Sequence, residues 1–200
     1  MTPAEALDKL NSYDIVLASK SPRRQHLMAE LGLKFRVVNN LEMDEVYPSV
    51  LKASEIPVYL ARAKAAWYDN LIGTNTLLIT ADTIVWLGNE VIGKPLDKPD
   101  AIAMLMKLSG NMHEVFTGVC IKSAFGETVF QVSSRVFFRK ITPDEIQYYV
   151  DKYNPVDKAG AYGIQEWIGY VGVERIEGSY FNVMGLPVQR LYCELLKFIQ

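Results

Sequence analysis

Apolar and polar residues along the chain form blocks that predict a mixture of strands and helices. Continuous or alternating apolar runs predict strands at residues 13–18, 35–38, 76–81 with 83–87, 90–92, 113–122, 128–139, 167–175 and 179–184. Apolar residues at three- and four-residue spacing predict a helix at about 55–71, and an amphipathic pattern predicts another at 186–198. Start and stop signals predict helices at about 22–31, 97–108 and 142–152. The turn residues Gly88 and Asn89 indicate a hairpin between two of these strands.

Several predicted helices carry their own start and stop signals. Ser21 and Pro22 suit the first positions of a helix that Gly32 would end, and Thr142 with Glu145 forms a capping box. Because strands and helices alternate but hairpins lie among them, we predict an α/β fold with a mixed central sheet. The absence of a long linker predicts one domain over residues 1–200.

The charge balance narrows the class of partner. The chain has 21 Lys and Arg against 23 Asp and Glu, a formal net charge of −2. Proteins that bind nucleic-acid polymers usually carry a basic surplus, so such a partner is not expected. A small phosphorylated ligand needs only a few well-placed cations and remains compatible with this balance.

The remaining composition indicates a cytoplasmic protein. Two cysteines lie 73 positions apart and form no metal-type pair, so we interpret them as buried free thiols in a reducing compartment. The first nine residues do not resemble a signal peptide. No apolar run approaches the roughly 18 residues of a membrane span, so no membrane partner is expected.

The turn at residues 19–24 has the chemistry of an anion site. It follows a predicted buried strand and opens a helix, whose free N–H groups and dipole favour a negative charge. Arg23 and Arg24 add two cations where the dipole disfavours them, which indicates a compensating anion such as phosphate. The alternative is that both arginines are solvated or pair with a nearby acid such as Glu30.

Asp82 stands out as a carboxylate within an apolar strand. Burying an unpaired charge is costly, so Asp82 must be paired, hydrated or bound to a metal. A carboxylate at a strand end that opens into a crevice suits catalysis in an α/β fold. A structural acid that caps a neighbouring turn is the alternative.

Other segments offer ligands of lower specificity. Lys64 lies on the predicted helix 55–71, and Lys94 is held between glycine and proline, although each could be a solvated lysine. The acids Glu42, Asp44 and Glu45 offer hard oxygens to a metal ion, or form an ordinary solvated loop. Gln165 ends a segment rich in glycine and alanine, and its amide could form hydrogen bonds with the edge of a nucleotide base. The alternative is that this segment is a tight structural loop.

Taken together, these segments resemble the Maf family of nucleoside triphosphate pyrophosphatases along almost the whole chain. They are LASKSPRR at 17–24, ARAKA at 61–65, ADT at 81–83, GKP at 93–95, LSG at 108–110 with His113 and Thr117-Gly118, DKAGAYGIQ at 157–165, and GLP at 185–187. Each segment is short, but their order and spacing together are specific.

The resemblance implies a fold, a reaction and a set of roles. The fold is a mixed, strongly twisted sheet flanked by helices, similar to that of the inosine-triphosphate pyrophosphatases, often in a homodimer. The reaction is hydrolysis of a nucleoside triphosphate to the monophosphate and pyrophosphate with Mg²⁺ or Mn²⁺. The implied roles are catalysis and metal binding at Asp82, metal binding at Glu45, phosphate binding at Ser19, Ser21, Arg24, Lys64 and Lys94, and substrate specificity at Arg23, Thr83 and Gln165.

The specificity positions resemble one subgroup. Arg23, Thr83 and Gln165 match the dTTP/UTP type, whereas the 7-methyl-GTP type carries an aromatic residue, a glutamine and a glutamate there. The loop before Glu45 is one residue longer than the family pattern, which makes Asp44 a rival metal ligand. Two alternative functions remain: a pyrophosphatase for modified nucleotides, and a non-catalytic nucleotide-binding regulator of cell division.

Overall fold

The computed structural model describes residues 1–38 and 45–199. The helices are α1 (Pro3–Leu10), α2 (Pro22–Glu30), α3 (Glu55–Ala66), α4 (Lys98–Leu108), α5 (Pro143–Tyr153), α6 (Trp167–Gly172), α7 (Tyr180–Met184) and α8 (Val188–Leu195). The strands are β1 (Asp14–Ala18), β2 (Phe35–Val38), β3 (Thr76–Leu87), β4 (Glu90–Ile92), β5 (Met112–Ser123), β6 (Gly126–Phe138) and β7 (Val173–Glu177).

The strands form a mixed sheet in the order β2-β1-β3-β5-β6-β7, with β4 paired to β3. Strand β1 is parallel to β2 and to β3, with Leu17 opposite Ile79 in the second pair. The pairs β3–β4 and β6–β7 are antiparallel. The predicted α/β class with a mixed central sheet and flanking helices is therefore confirmed.

The chain divides into two compact units, each with its own core. The first unit contains residues 1–82, 117–132 and 185–200, and the second contains residues 83–116 and 133–184. Ala61, Leu78 and Cys120 belong to a buried cluster in the first unit. Leu105, Tyr149 and Tyr162 belong to a larger cluster in the second. The single domain over residues 1–200 stays a prediction.

Two predicted strands are wrong. Residues 167–172 form α6, and only residues from Val173 onward are extended; Gly169 allows this helix because its backbone lies against the Ile164 carbonyl, where a Cβ would be 1.9 Å away. Residues 180–184 form α7, whose Asn182 N–H donates to the Ser179 hydroxyl at 3.3 Å. Both segments are rich in aromatic and other apolar residues, which favour strands only where a partner strand is available.

Smaller differences concern the amino-terminal residues, α3 and the cysteines. Helix α1 was not predicted, although Thr2 and Glu5 form a capping box at its start. Helix α3 ends at Ala66, and a short 3₁₀ turn follows at Asp69–Leu71. Both cysteines are free, but only Cys120 is buried, so the prediction for Cys193 is wrong. Within the described ranges, no helix is both long and apolar enough to cross a membrane.

Candidate active site

The turn before α2 has the capped geometry that its sequence predicts. The Ser21 hydroxyl accepts a hydrogen bond from the Arg24 N–H at 3.4 Å, and the Ser21 N–H donates to the Ser19 hydroxyl at 3.2 Å. Ser19 is buried and Pro22 occupies the first turn of the helix. The turn therefore holds two hydroxyl groups and the amino end of α2 at the carboxyl end of β1.

Arg24 connects this turn to two distant segments. Its Nε donates to the Gly185 carbonyl at 2.8 Å, and its Nη1 donates to the Ala81 carbonyl at 2.9 Å. Burial lowers the pKa of Arg24, and the nearby Asp82 carboxylate opposes that shift. Glu30, the acid considered as an alternative partner, instead lies 3.9 Å from His26. Arg24 thus both orders the turn and brings positive charge towards Asp82.

Asp82 lies within β3 rather than at its end, because β3 continues unbroken to Leu87. Its neighbour β1, however, pairs with β3 only as far as Ile79, and Asp82 follows three residues later. Since β1 and β3 are parallel, Asp82 lies at the same sheet edge as the turn after β1, the usual location of ligands in α/β sheets.

The Asp82 carboxylate is 4% exposed and contacts the Lys64 ammonium. The same ammonium lies 3.3 Å from a carboxylate oxygen of Glu45. Burial raises the pKa of Asp82, and the Glu45 charge adds to this shift, while Lys64 and Arg24 oppose it. The structure therefore brings Lys64, Asp82, Glu45 and Arg24 together.

Helix α3 brings Lys64 to Asp82 because it lies unusually close to the sheet. The buried Thr80 hydroxyl on β3 donates to the Ala61 carbonyl of α3 at 2.6 Å. On β5, a Cβ at Gly118 would lie 2.3 Å from the Pro57 carbonyl oxygen, so only glycine fits there. Gly118, the second residue of the Thr117-Gly118 pair, therefore allows the close packing of this helix.

The other predicted site residues, Thr83, Lys94 and Gln165, belong to the second unit. Lys94 is exposed and Thr83 is half-buried. The Gly160 N–H donates to the Gly93 carbonyl at 2.9 Å, so the turn that carries Lys94 is bonded to the segment that ends at Gln165. The side-chain oxygen of Gln165 is buried and has no hydrogen-bond partner among the residues that the structure describes.

Asp82 and Glu45 offer a donor set that suits a hard divalent cation. Mg²⁺ is commonly held by one or two carboxylates together with substrate phosphates. Two carboxylates that share one ammonium fit that pattern, although no cluster of three His, Cys, Asp or Glu side chains occurs in residues 1–38 and 45–199. The rival ligand Asp44, and Glu42 beside it, lie outside the described residues.

Two further groups of the second unit differ in how well the sequence indicated them. His113, which belongs to the segments of the family resemblance, is a buried structural histidine: its Nε2 lies 2.8 Å from the Tyr162 hydroxyl, and burial lowers its pKa to about 4. Lys158, by contrast, is buried between Asp157 and Glu166, which nothing in the local pattern indicated. The only available signal was its place in the DKAGAYGIQ segment.

A family model and the curated relatives agree on the family to which this chain is similar. A family model described as Maf-like protein matches residues 14–198. The chain is 53% identical over 191 residues to a dTTP/UTP pyrophosphatase of Phocaeicola vulgatus, covering 96% of this chain and 99% of that one. It is 48% identical over 194 residues to a protein of the same name from Porphyromonas gingivalis, covering 96% and 98%.

A weaker likeness exists among solved structures. A nucleoside-triphosphatase, also described as a dITP/XTP pyrophosphatase, from Mycobacterium abscessus aligns with 64% of this chain and 75% of its own. The identity is 12% and the TM-score 0.38, values too low to carry an argument about fold or function. With the match of the Maf-like model along nearly its whole length, the chain belongs to the Maf family.

Proposed function

We propose that this protein is a nucleoside triphosphate pyrophosphatase that hydrolyses dTTP and UTP to the monophosphate and pyrophosphate. The observation that carries the proposal is the buried Asp82 carboxylate in contact with Lys64, with Glu45 on the same ammonium. About half of the residues are identical to those of proteins named dTTP/UTP pyrophosphatase over almost the full chain.

Asp82 has the environment of a general base. Its pKa is raised, chiefly by burial, and a carboxylate with a raised pKa takes a proton more readily at neutral pH. In the proposed reaction Asp82 orients a water molecule and accepts its proton as the water oxygen bonds to the α-phosphorus. The bond from the α-phosphorus to the bridging oxygen then breaks, and pyrophosphate leaves with that oxygen.

The cations of the first unit suit a triphosphate, which brings about four negative charges that must be neutralised and positioned. Arg24 and Lys64 supply two fixed positive charges, and Ser19 and Ser21 supply hydroxyl groups beside the amino end of α2. The family resemblance adds Lys94 as a further phosphate ligand. These roles in phosphate binding are part of the proposal.

We infer that Asp82 and Glu45 would hold a Mg²⁺ or Mn²⁺ ion. The support is the pair of carboxylates that converge on one ammonium, where a bound cation would relieve their mutual repulsion. When bound, such an ion would offset phosphate charge and make a coordinated water more acidic.

The direct test is product identification. The protein is incubated with dTTP or UTP and Mg²⁺ or Mn²⁺, and the products are separated by ion-exchange chromatography. Monophosphate and pyrophosphate in equal amounts support the proposal. Release of orthophosphate, or no turnover of any triphosphate, would overturn it, and tight binding without turnover would point to a nucleotide-binding regulator.

A substrate panel tests the narrower choice of base. Arg23, Thr83 and Gln165 match the dTTP/UTP subgroup, so we expect kcat/KM for dTTP and UTP to exceed that for purine triphosphates. Higher values for a modified nucleotide would instead support the alternative of a pyrophosphatase that removes such nucleotides from the pool.

We further infer a homodimer and a cytoplasmic location. The homodimer rests on the family resemblance. The location rests on the two free cysteines, which are typical of a reducing compartment.

A further inference from the structure

The segment that ends at Gln165 is closed by a chain of three side chains, which we name the Lys158 clamp: Lys158, Glu166 and Tyr149. The Lys158 ammonium lies 3.3 Å from one carboxylate oxygen of Glu166. The other oxygen accepts a hydrogen bond from the Tyr149 hydroxyl. That hydroxyl in turn accepts the Gly163 N–H at 3.0 Å, so the clamp begins and ends on the same segment.

Two of the three clamp residues, Lys158 and Tyr149, are buried, and the clamp contains an ion pair. Lys158 is 7% exposed and Tyr149 is fully buried. Asp157 is a second partner of the Lys158 ammonium, at 2.7 Å. A buried ion pair commonly adds little net stability compared with apolar residues of similar size, and one use of such pairs is to select a single conformation.

The backbone around Gln165 is held tightly on both sides. A Cβ at Gly163 would lie 2.7 Å from the Glu166 carboxylate carbon, so the Glu166 side chain packs directly against the backbone of the turn. The Glu166 N–H donates to the Gly163 carbonyl at 2.9 Å. After the turn, α6 packs against the Ile164 carbonyl through Gly169. Gln165 therefore projects from backbone with little freedom to move.

The side-chain oxygen of Gln165 is a polar atom whose hydrogen bonding this rigid turn does not satisfy. It is buried and has no hydrogen-bond partner among residues 1–38 and 45–199, and a buried acceptor without a partner is costly. A thymine or uracil base offers an N3–H donor that such an oxygen can accept, whereas cytosine has an acceptor at that position.

We propose that the Lys158 clamp is a positioning device that fixes Gln165 for selection of thymine and uracil over cytosine. The inference rests on the proposed function, because it assumes a pyrimidine triphosphate as substrate. Lys158, Glu166 and Tyr149 act through Gln165 and touch no substrate atom. Without the clamp, the Gln165 oxygen would no longer be held in one position, and its hydrogen bond to the base would weaken.

Tyr149→Phe is the sharpest variant, because it removes the hydroxyl that joins Glu166 to Gly163 and keeps the buried ring. Tyr153→Phe is its matched control: Tyr153 lies on the same helix and stacks on Tyr149 at 5.1 Å, but its hydroxyl is outside the clamp. Each substitution is made in the wild type and in a Gln165→Ala background, with circular dichroism as a check of folding.

The readout is kcat/KM for dTTP and for dCTP. We expect Tyr149→Phe to lower the dTTP/dCTP ratio about tenfold, the effect of one hydrogen bond of ordinary strength, mainly through KM for dTTP. In the Gln165→Ala background the same substitution should change the ratio less than twofold, and Tyr153→Phe should leave it unchanged in both. Equal effects in the two backgrounds, or an unchanged ratio in Tyr149→Phe, would overturn the inference.

A second variant covers the case in which Tyr149→Phe fails to fold. Lys158→Met removes the ammonium, keeps an unbranched apolar side chain and should lower the dTTP/dCTP ratio in the same way. A folded Lys158→Met protein with the wild-type ratio would contradict the proposal. Wild-type protein that hydrolyses no triphosphate would overturn the proposed function itself, which is a different outcome from active enzyme with unchanged selectivity.

Discussion

Asp82 is a carboxylate whose surroundings disfavour its charge. It lies almost fully buried on an apolar strand, and burial together with Glu45 raises its pKa, while Lys64 and Arg24 limit the shift. A buried acid that is neither fully neutralised nor solvated is typical of a catalytic group. This environment fits the proposed role of Asp82 as the general base.

Replacing the Asp82 carboxylate tests its proposed catalytic role. We expect Asp82→Asn to lower kcat on dTTP at least about a hundredfold, because an amide cannot accept the proton of the attacking water. Asp14→Asn is the matched control, since Asp14 lies on the neighbouring β1 but is half exposed and pairs with Arg36 at 2.8 Å. Full activity in Asp82→Asn, measured by pyrophosphate release, would show that another group is the base.

His113 makes stability depend on pH in a defined window. Burial lowers its pKa to about 4 from the ordinary value of 6.5, so between these values the unfolded chain binds a proton that the folded protein excludes. Stability should therefore fall as the pH falls through this window, by about 2 kcal/mol between pH 6.5 and 4.5. Glu145, whose pKa is lowered from 4.5 to about 2 by its bonds to Arg139 and to Thr142, contributes mainly below pH 4.5.

Urea unfolding at the two pH values checks this prediction. His113→Gln should lose most of the pH-dependent difference, whereas replacement of the exposed His26 by Gln should keep it. An imidazole signal of His113 that titrates near pH 6.5 in the folded wild type would contradict the expected shift.

The packing of helix α3 on the sheet positions Lys64 in the candidate active site. It carries Lys64, and its distance from the sheet is set by two contacts on different strands: the Thr80 hydroxyl on β3 and the bare backbone of Gly118 on β5. Because an added methyl group at Gly118 would collide with backbone rather than with a flexible side chain, the whole helix would have to shift. The position of Lys64 thus depends on a residue that bears no functional group.

We expect Gly118→Ala to lower the free energy of unfolding by about 1–3 kcal/mol, as overpacking in a close-packed region does. The displaced Lys64 should also raise KM for dTTP. Gly73→Ala is the control, since a Cβ there meets only the Thr76 hydroxyl at 3.5 Å and should change stability by less than about 0.5 kcal/mol. Wild-type KM and stability in Gly118→Ala would contradict this account of the helix position.

At the level of the complete chain, the near-neutral balance of charge conceals an uneven distribution. The net charge is −2, yet Arg23, Arg24 and Lys64 occur within two short segments of the first unit. Such local clustering suits a small anion, and it requires no basic surface of the size that a nucleic-acid polymer needs. The proposed mononucleotide substrate agrees with this distribution.

The proposed homodimer is tested on the intact protein. Light scattering after size-exclusion chromatography should give twice the mass of the chain over the concentrations used in activity assays. A mass of one chain throughout that range would contradict the proposal and leave the chemistry of Asp82 unaffected.

Much of the architecture and several candidate site residues follow from local sequence. Apolar patterning together with capping signals predicted five helices and most strands, because the pattern reports which face of an element is buried and the caps mark where a helix begins. Short-range signals also placed the Ser21 cap and singled out Asp82 as a carboxylate in an apolar strand. Residues 167–172 and 180–184 were misassigned because their apolar content does not distinguish a short packed helix from a strand.

The partners of the buried polar groups could not be derived in this way. Arg24 donates a hydrogen bond to the carbonyl of Gly185, which lies 161 residues further along the chain. Lys64, Asp82 and Glu45 form ion pairs although they belong to three separate segments. The Lys158 clamp likewise depends on a tyrosine from α5. Local sequence determines which residues prefer burial, turns or helix ends, whereas the pairing of buried charges arises from the packing of distant segments, where each charge must find a partner.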